Sequence, residues 1–352
     1  MSVTAAKGIL GFGPQAAKGT LATVWQKHRA LAIDLDAIDE TREGPAEVGG
    51  LPVPSFPYKA GPLVGGGATI QPRLFGSLGW ILYGMLGDVT TAADDYATSA
   101  FKHTFHFLED YEDFNPWMSF RKHIPAVDAT PGTEFGQIFK DCKIIGGTLV
   151  LPNDAPLNMR VDVLGREFVL DDDPGSWSWA SADFEHWESI PIGCLTGGYI
   201  KVDGEEFPVV SATVGFQNVP LDIRQERVFG SPWIEDITTI QRRMVYDMVV
   251  KYRNPDLYRK ILTGAVDGTV WSGRPTTSSL AIKTVSSEPM PGETDPYALE
   301  IDADEIMLNQ VGGITLAANQ SILMRFQGVA LEADNYASFT LTNQVASYTW
   351  PV

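Results

Sequence analysis

Apolar and polar positions alternate most cleanly across residues 143–170, KIIGGTLVLPNDAPLNMRVDVLGREFVL. Residues 148–151 are a short run of β-formers that the following Pro-Asn-Asp-Ala-Pro cannot continue. Residues 158–163 then resume in strict alternation, so the stretch predicts a hairpin. Successive strand side chains face opposite sides. Met159, Val161 and Val163 therefore share a core face, while Asn158, Arg160 and Asp162 share one that is wet or meets a partner. A related pattern returns at residues 311–331, where laying Gly312-Gly313 on Gly146-Gly147 brings Met324-Arg325 opposite Met159-Arg160 after one residue of slippage. The offset, 166 residues from Gly147 to Gly313, is close to half of the 352-residue chain, as an internal repeat requires.

The rest of the first half has the same character. After a turn at residues 11–15, residues 29–38 alternate, predicting a strand with Leu31, Ile33 and Leu35 inward and Ala32, Asp34 and Asp36 outward. Residues 40–62 carry Pro, Gly and acids without an apolar period. With Leu51, Val53, Phe56 and Tyr58 among them, they read as an extended arm that orders against a neighbour. A strand over 63–70 leads into an amphipathic helix over 73–86, with Leu74, Leu78, Ile81, Leu82 and Met85 on one stripe and Gly87 as its stop. Strands follow at 100–108, where Phe101, His103, Phe105 and Phe107 share a face, at 117–124, and from 139 to 170.

Residues 171–188, DDDPGSWSWASADFEHWE, interrupt the strand pattern and read as an inserted loop whose aromatics pack against strands or a neighbouring subunit. Beyond it, strands are predicted at 207–216 and 238–251, the latter with Met244, Tyr246, Met248 and Val250 on one side. A second short helix has its ends written out, Asn254 as N-cap, Pro255 at the first helical position and Gly264 past the last turn, with Leu257, Ile261 and either Tyr258 or Leu262 buried. Strands at 279–285, 298–308, 321–329 and 338–342 finish the chain. The order of elements is thus the same in both halves. The expected architecture is all-β, a sandwich or barrel with two short amphipathic helices, divided into a first β-domain at 1–170, a Trp-rich acidic insertion at 171–200 and a second, similar β-domain at 201–352.

Composition narrows the function. The formal net charge of −18 repels phosphate, which disfavours tight gripping of nucleic acid, and 44 % hydrophobic residues with 11 % aromatics mark a folded chain. Cys142 and Cys194 have neither metal-ligand nor disulfide spacing and read as free, buried thiols of a reducing compartment. No run is long enough for a signal peptide or a membrane span. His103 and His106 fall on opposite faces of a strand, which argues against joint metal binding. Gly65-Gly66-Gly67 and Gly11/Gly13 lack the strand-to-helix context of phosphate loops and read as close backbone packing. The carboxylate pairs Asp34/Asp36, Glu109/Asp110 and Asp302/Asp304 have the chemistry of a glycosidase acid and base, but among 44 acids they read more simply as solvated faces. Trp177, Trp179 and Trp187 either stack on sugar rings or pack the loop. No catalytic, cofactor or metal residue is expected, and the chain does not read as an enzyme.

The opening GFGPQAAKGTLAT resembles the start of major tail tube proteins of long-tailed bacteriophages. So do GPLVGGGATIQPRLFGSLGWILYGMLG, FKDCKIIGGTLVL, VSATVGFQNVP with the FGSPWIEDITTIQRRMVYDMVVKY that follows, and the closing YASFTLTNQ. The resemblance runs over nearly the whole chain. It implies a β-sandwich flanked by a helix and polymerised as stacked rings whose inner sheets join into a barrel, an electronegative channel for double-stranded DNA. It further implies contacts with tape-measure, terminator and tail-tip proteins, a place in the virion tail after synthesis in the host cytoplasm, and no cofactor. The alternating acids Asp34, Asp36 and Asp162 are the candidate channel-facing residues, and Leu51, Val53, Phe56 and Tyr58 the candidate contacts between rings. Two tube folds per chain would give a trimeric ring with pseudo-six-fold symmetry, whereas one would give a hexamer. The alternative is a virion decoration or carbohydrate-binding β-module.

Overall fold

Strands take 53 % of the chain and helix 8 %, which makes the protein predominantly β. The structure, a computed structural model, describes residues 8–348 apart from 52, 95–98, 109–114, 127–133, 182, 194, 196, 312–313 and 315–320. The pair Glu109/Asp110, Cys194 and the Gly312-Gly313 step therefore lie outside the described residues. In chain order the first half holds β1 (Ile9–Pro14), β2 (Gln26–His28), β3 (Ala30–Ile33), β4 (Asp36–Glu43), β5 (Pro57–Ile70), α1 (Ser77–Leu86), β6 (Gly87–Ala93), β7 (Phe101–Phe107), β8 (Met118–Ile124), β9 (Phe135–Pro152) and β10 (Asn158–Asp171). After two 3-10 turns come β11 (Tyr199–Val202), β12 (Glu205–Glu206), β13 (Val209–Pro220), β14 (Thr239–Lys251), α2 (Asp256–Thr263), β15 (Thr277–Pro289), β16 (Pro296–Gln310), β17 (Leu323–Ala330) and β18 (Ser338–Asn343).

All of these strands belong to one hydrogen-bonded sheet. Its main run is β4–β5–β10–β9–β13–β14–β17–β16, antiparallel throughout. The first four strands and the last four repeat one order: a hairpin, then the later strand of a second hairpin beside it, then the earlier. Met159 stands opposite Ile70 near the start of β10, and Met324 stands opposite Val250 near the start of β17, so the two Met-Arg steps occupy corresponding places. Gly146 and Gly147 pair inside β9. A second run, β6–β7–β18–β16–β15–β11, leaves the first at β16.

The alternation read from the sequence places the core. Met159, Val161 and Val163, Leu149 and Leu151, Val214 and Phe216, Met244, Tyr246, Met248 and Val250 are all buried in one cluster that runs through both halves. Helix α1 fills the space between the two runs. Leu78, Leu82 and Met85 meet Leu149 and Met159 on one side and Leu299 and Phe339 on the other, with a gap of only about 10 Å³ among them. Its sequence, SLGWILYGML, is apolar nearly all round, so α1, which starts at Ser77 and not at 73, is a core helix and not the amphipathic helix with a single apolar stripe expected. Gly87 ends it in the left-handed region, at φ 97°.

Several expectations need correction. The turn at residues 11–15 is strand β1 to Pro14, and β2 and β6 carry too little alternation to be foreseen. The strand at 29–38 is broken: the N–H groups of Asp34 and Leu35 both donate to the Gly67 carbonyl, at 3.0 Å each. Two residues opposite one make a bulge, which resets the alternation. Leu35 is consequently buried, but Leu31 is 61 % exposed and does not face the core. The arm is shorter than residues 40–62, since Thr41, Arg42 and Glu43 pair with Lys59, Tyr58 and Pro57 and leave only 44–56 as connection. Helix α2 begins one residue later than expected, with Pro255 at the cap and Asn254 donating to Asp256 Oδ2 at 2.6 Å.

The halves are also tied across their ends. Tyr348 is fully buried against α1, its hydroxyl donating to Gly76 O at 2.9 Å and accepting from Asn343 Nδ2 at 2.7 Å. From the inserted segment, Glu185 accepts hydrogen bonds from the Ser77 backbone N–H and, at 2.8 Å, from the Ser77 hydroxyl, which caps a helix whose own cap residue is Gly76. Burial pushes the Glu185 carboxyl up to about 7, against the lowering effect of those hydrogen bonds and of Arg73. The folded chain then holds this proton more tightly than the unfolded chain does. Its contribution to stability is full below pH 4.5, the ordinary value, and is lost as pH rises through about 7. We expect the difference in urea midpoint between the native protein and Glu185→Gln to change across pH 4.5–7.5 and to be flat below it; a difference independent of pH would remove the titration from Glu185.

Candidate functional site, an assembly surface

The face of the main run turned away from the core is built from the alternate residues of the same strands. One row crosses it as Thr69, Arg160, Thr148, Gly215, Val245, Val329 and Met307, and the next as Gly67, Asp162, Gly146, Gln217 and Arg243. Small and neutral side chains dominate, leaving an open depression of about 690 Å³ lined by Gly65, Gly66, Gly146, Gly147, Asp162 and Gly215 among others. Gly67 has a steric reason to be glycine, because a Cβ there would lie 1.9 Å from the Val161 carbonyl oxygen. At Gly65, Gly146 and Gly215 a Cβ would make only ordinary contacts, so these keep the surface shallow without being forced to by packing.

Two arginines of this face are paired with carboxylates, and a third, Arg243, is exposed. Arg160 donates to Asp34 Oδ2 at 2.9 Å and to Asp162 Oδ1 at 2.8 Å. On the second group of strands Arg325 holds Asp247 through a double contact, its Nε at 2.9 and 3.1 Å. The hydrogen bond from Arg160 keeps the Asp34 carboxyl below its usual range. Asp34 and Asp162 are therefore brought together, while Asp36 stands apart, accepting from Gln137 Nε2 at 2.8 Å and Lys122 Nζ at 3.1 Å. Burial alone would raise Asp36, but those hydrogen bonds outweigh it and hold the carboxyl low. The alternation of the Asn-Met-Arg-Val-Asp run places Arg160 on the same outer face as Asp162, but its ion pair with Asp34 is visible only in the structure.

The connection at 44–56 extends beyond the sheet with Leu51 at 77 % and Phe56 at 49 % exposure, and Val53 and Tyr58 are exposed as well. Gly44 N–H donates to Phe56 O at 2.7 Å, which closes the hairpin below it, and the other hydrogen bonds of its described residues, such as Ser55 Oγ to Pro45 O at 2.7 Å, are internal. Strand β4 pairs with β5 alone among the named strands, so its other edge is open.

The aromatic insertion is packed. Arg121 lies 3.7 Å over the Trp25 ring and 4.9 Å over the Trp177 ring, and Trp177 Nε1 donates to Asp171 Oδ2 at 2.7 Å. Trp179 meets Trp177 edge-on at 6.1 Å and occupies the space beside Gly11. Trp187 is exposed, but away from that cluster, so the three indoles do not form one stacking platform. His103 is buried and hydrogen-bonded to Thr91 Oγ1 at 2.9 Å, and Asp302 is raised to about 6 by burial and by Glu300 and Asp304. Among the described residues no three His, Cys, Asp or Glu side chains are grouped as a metal site requires, and no helix is long and apolar enough to cross a membrane. Set beside known proteins, the chain matches no family model and no curated sequence.

Proposed function

We propose that this chain is a structural subunit that assembles with copies of itself into stacked rings, forming a tube of the kind its resemblance to phage tail tube proteins implies, through which double-stranded DNA passes. The observation that carries the reading is the strand order. One four-strand arrangement occurs twice in a single sheet and ends at an open β4 edge, and an open edge in a soluble protein is either blunted or paired with another chain. Two tube folds per chain are supported by the corresponding Met159 and Met324 positions, which favours three chains per ring over six.

The wall of such a channel needs low affinity for phosphate. Arg160 and Arg325 are already bound to carboxylates, which leaves them little to offer a passing phosphate. Arg243 aside, the face would thus be smooth and locally balanced, although the chain as a whole carries a net charge of −18. The alternative of a sugar-binding module has less support, because Arg121 covers the Trp177 ring.

Negative-stain microscopy of the purified protein tests the proposal. Rings or filaments are expected, and native mass spectrometry of released rings should give three chain masses. Six chain masses would end the two-fold-per-chain arithmetic, and a monomer at high concentration would end the assembly reading.

A further inference from the structure

The two hairpin connections that occupy corresponding places in the sheet have different fates. The second, residues 221–238 between β13 and β14, is seated within the chain. Arg227 donates to the carbonyls of Ala60 and, at 3.2 Å, Gly61, and Arg166 Nε donates to Ile234 O at 2.9 Å. Trp233 meets Phe168 edge-on at 5.7 Å, and Ile234 and Ile237 are buried with Trp117 and Leu164. Its acids meet a base of the seat, Asp236 lying 3.2 Å from Lys18 Nζ. The first connection, residues 44–56 between β4 and β5, has no such seat among the described residues and leaves Val48, Leu51, Val53 and Phe56 exposed.

The sheet order says where that seat lies. In β4–β5–β10–β9–β13–β14–β17–β16, the 221–238 connection reaches back across β9 to rest on β5 and β10. The equivalent step for 44–56 reaches back across a β16 to β14 and β17, and within one chain β4 and β14 are five strand spacings apart, roughly 24 Å along the sheet. We infer that the 44–56 connection docks on the β14–β17 flank of a second copy of this chain, on a surface made by Val245, Val329 and Arg243. Counting from the matched pairs, Val329 holds the place of Leu164 and Arg243 that of Leu63. Val245 and Val329 are cross-strand neighbours, half-buried and uncovered, and Arg243 is exposed. Glu47 is an exposed acid on the connection and Arg243 an exposed base on the flank, so the two surfaces are complementary in charge. This docking rests on the assembly proposed above and adds its partner and register.

Cysteine cross-linking tests it. Val53→Cys and Val329→Cys are made singly and together, and Leu51→Cys with Val245→Cys serves as a second pair. Treatment with a short bis-maleimide should link the double variants into dimers and higher multimers on a denaturing gel. A mixture of the two single variants should stop at dimers, and each single variant alone, which retains the native cysteines, should give neither. Rings or filaments by microscopy without cross-links in either pair would overturn the docking while leaving assembly standing. Cross-linking of Val53→Cys with itself would also overturn it, since the connections would then meet one another. A monomer at every concentration would overturn both.

Discussion

Replacing residues 45–55 by a two-residue Asn-Gly turn leaves a subunit that folds normally and no longer elongates. Folding should survive because Gly44 and Phe56 already close the hairpin at 2.7 Å, and the hydrogen bonds of the described residues among those excised stay within the connection. An Asn-Gly step suits the tight hairpin that remains, and shortening a loop costs little closure entropy. The urea midpoint should shift by no more than the equivalent of about 0.5 kcal/mol, as for surface changes generally. Assembly should be lost, because the exposed apolar side chains Val48, Leu51 and Val53 leave with the connection. Sedimentation and negative stain read the outcome, and tubes of normal length from this variant would remove the connection from the assembly.

Tyr348→Ala destabilises the chain by about 3–5 kcal/mol, the range for an aromatic side chain removed from a core. Its ring is wedged into the notch at Gly79, where a Cβ would lie 2.1 Å away, and it packs on Trp80, His103 and Phe105 with centroids at 5.3, 4.7 and 5.6 Å. Tyr348→Phe keeps the ring and loses the hydroxyl between Gly76 O and Asn343, so it should cost about 1 kcal/mol. Urea denaturation of both variants separates packing from hydrogen bonding, and equal losses would show that the ring's fit is not the source. The contact also bears on domain boundaries. Helix α1 belongs to the first half, yet it is capped by Glu185 and wedged by Tyr348, while β9 pairs with β13 and β7 with β18. A fragment ending at residue 170 would lose all four supports.

The legible part of the fold was the part that local chemistry dictates. Met159, Val161 and Val163, and Met244 through Val250, sit where their alternation puts them, since a buried face two residues in period leaves one register. Gly87 and Gly264 end their helices in the left-handed region, at φ 97° and 83°, as glycine permits. The candidate site was legible only in pieces. Asp34, Asp36 and Asp162 look alike in sequence, but the bulge at Asp34 and Leu35 and the reach of Arg160 bring two of them together and leave the third on Lys122. A bulge is set by the partner strand, here by Gly67, and a single strand's pattern does not contain it.

Sequence by itself determined the β-character, the face that each long strand buries, the C-terminal ends of both helices and the exposed apolar connection, because each follows from residue type at a local spacing. Tertiary structure alone decided that the two halves share one sheet, that α1 is buried on nearly every side, that arginines neutralise the acids of the open face, and that only one of the two corresponding connections is seated. Those outcomes depend on which distant strands meet, and the free energy of such meetings is a sum over partners that no one segment encodes.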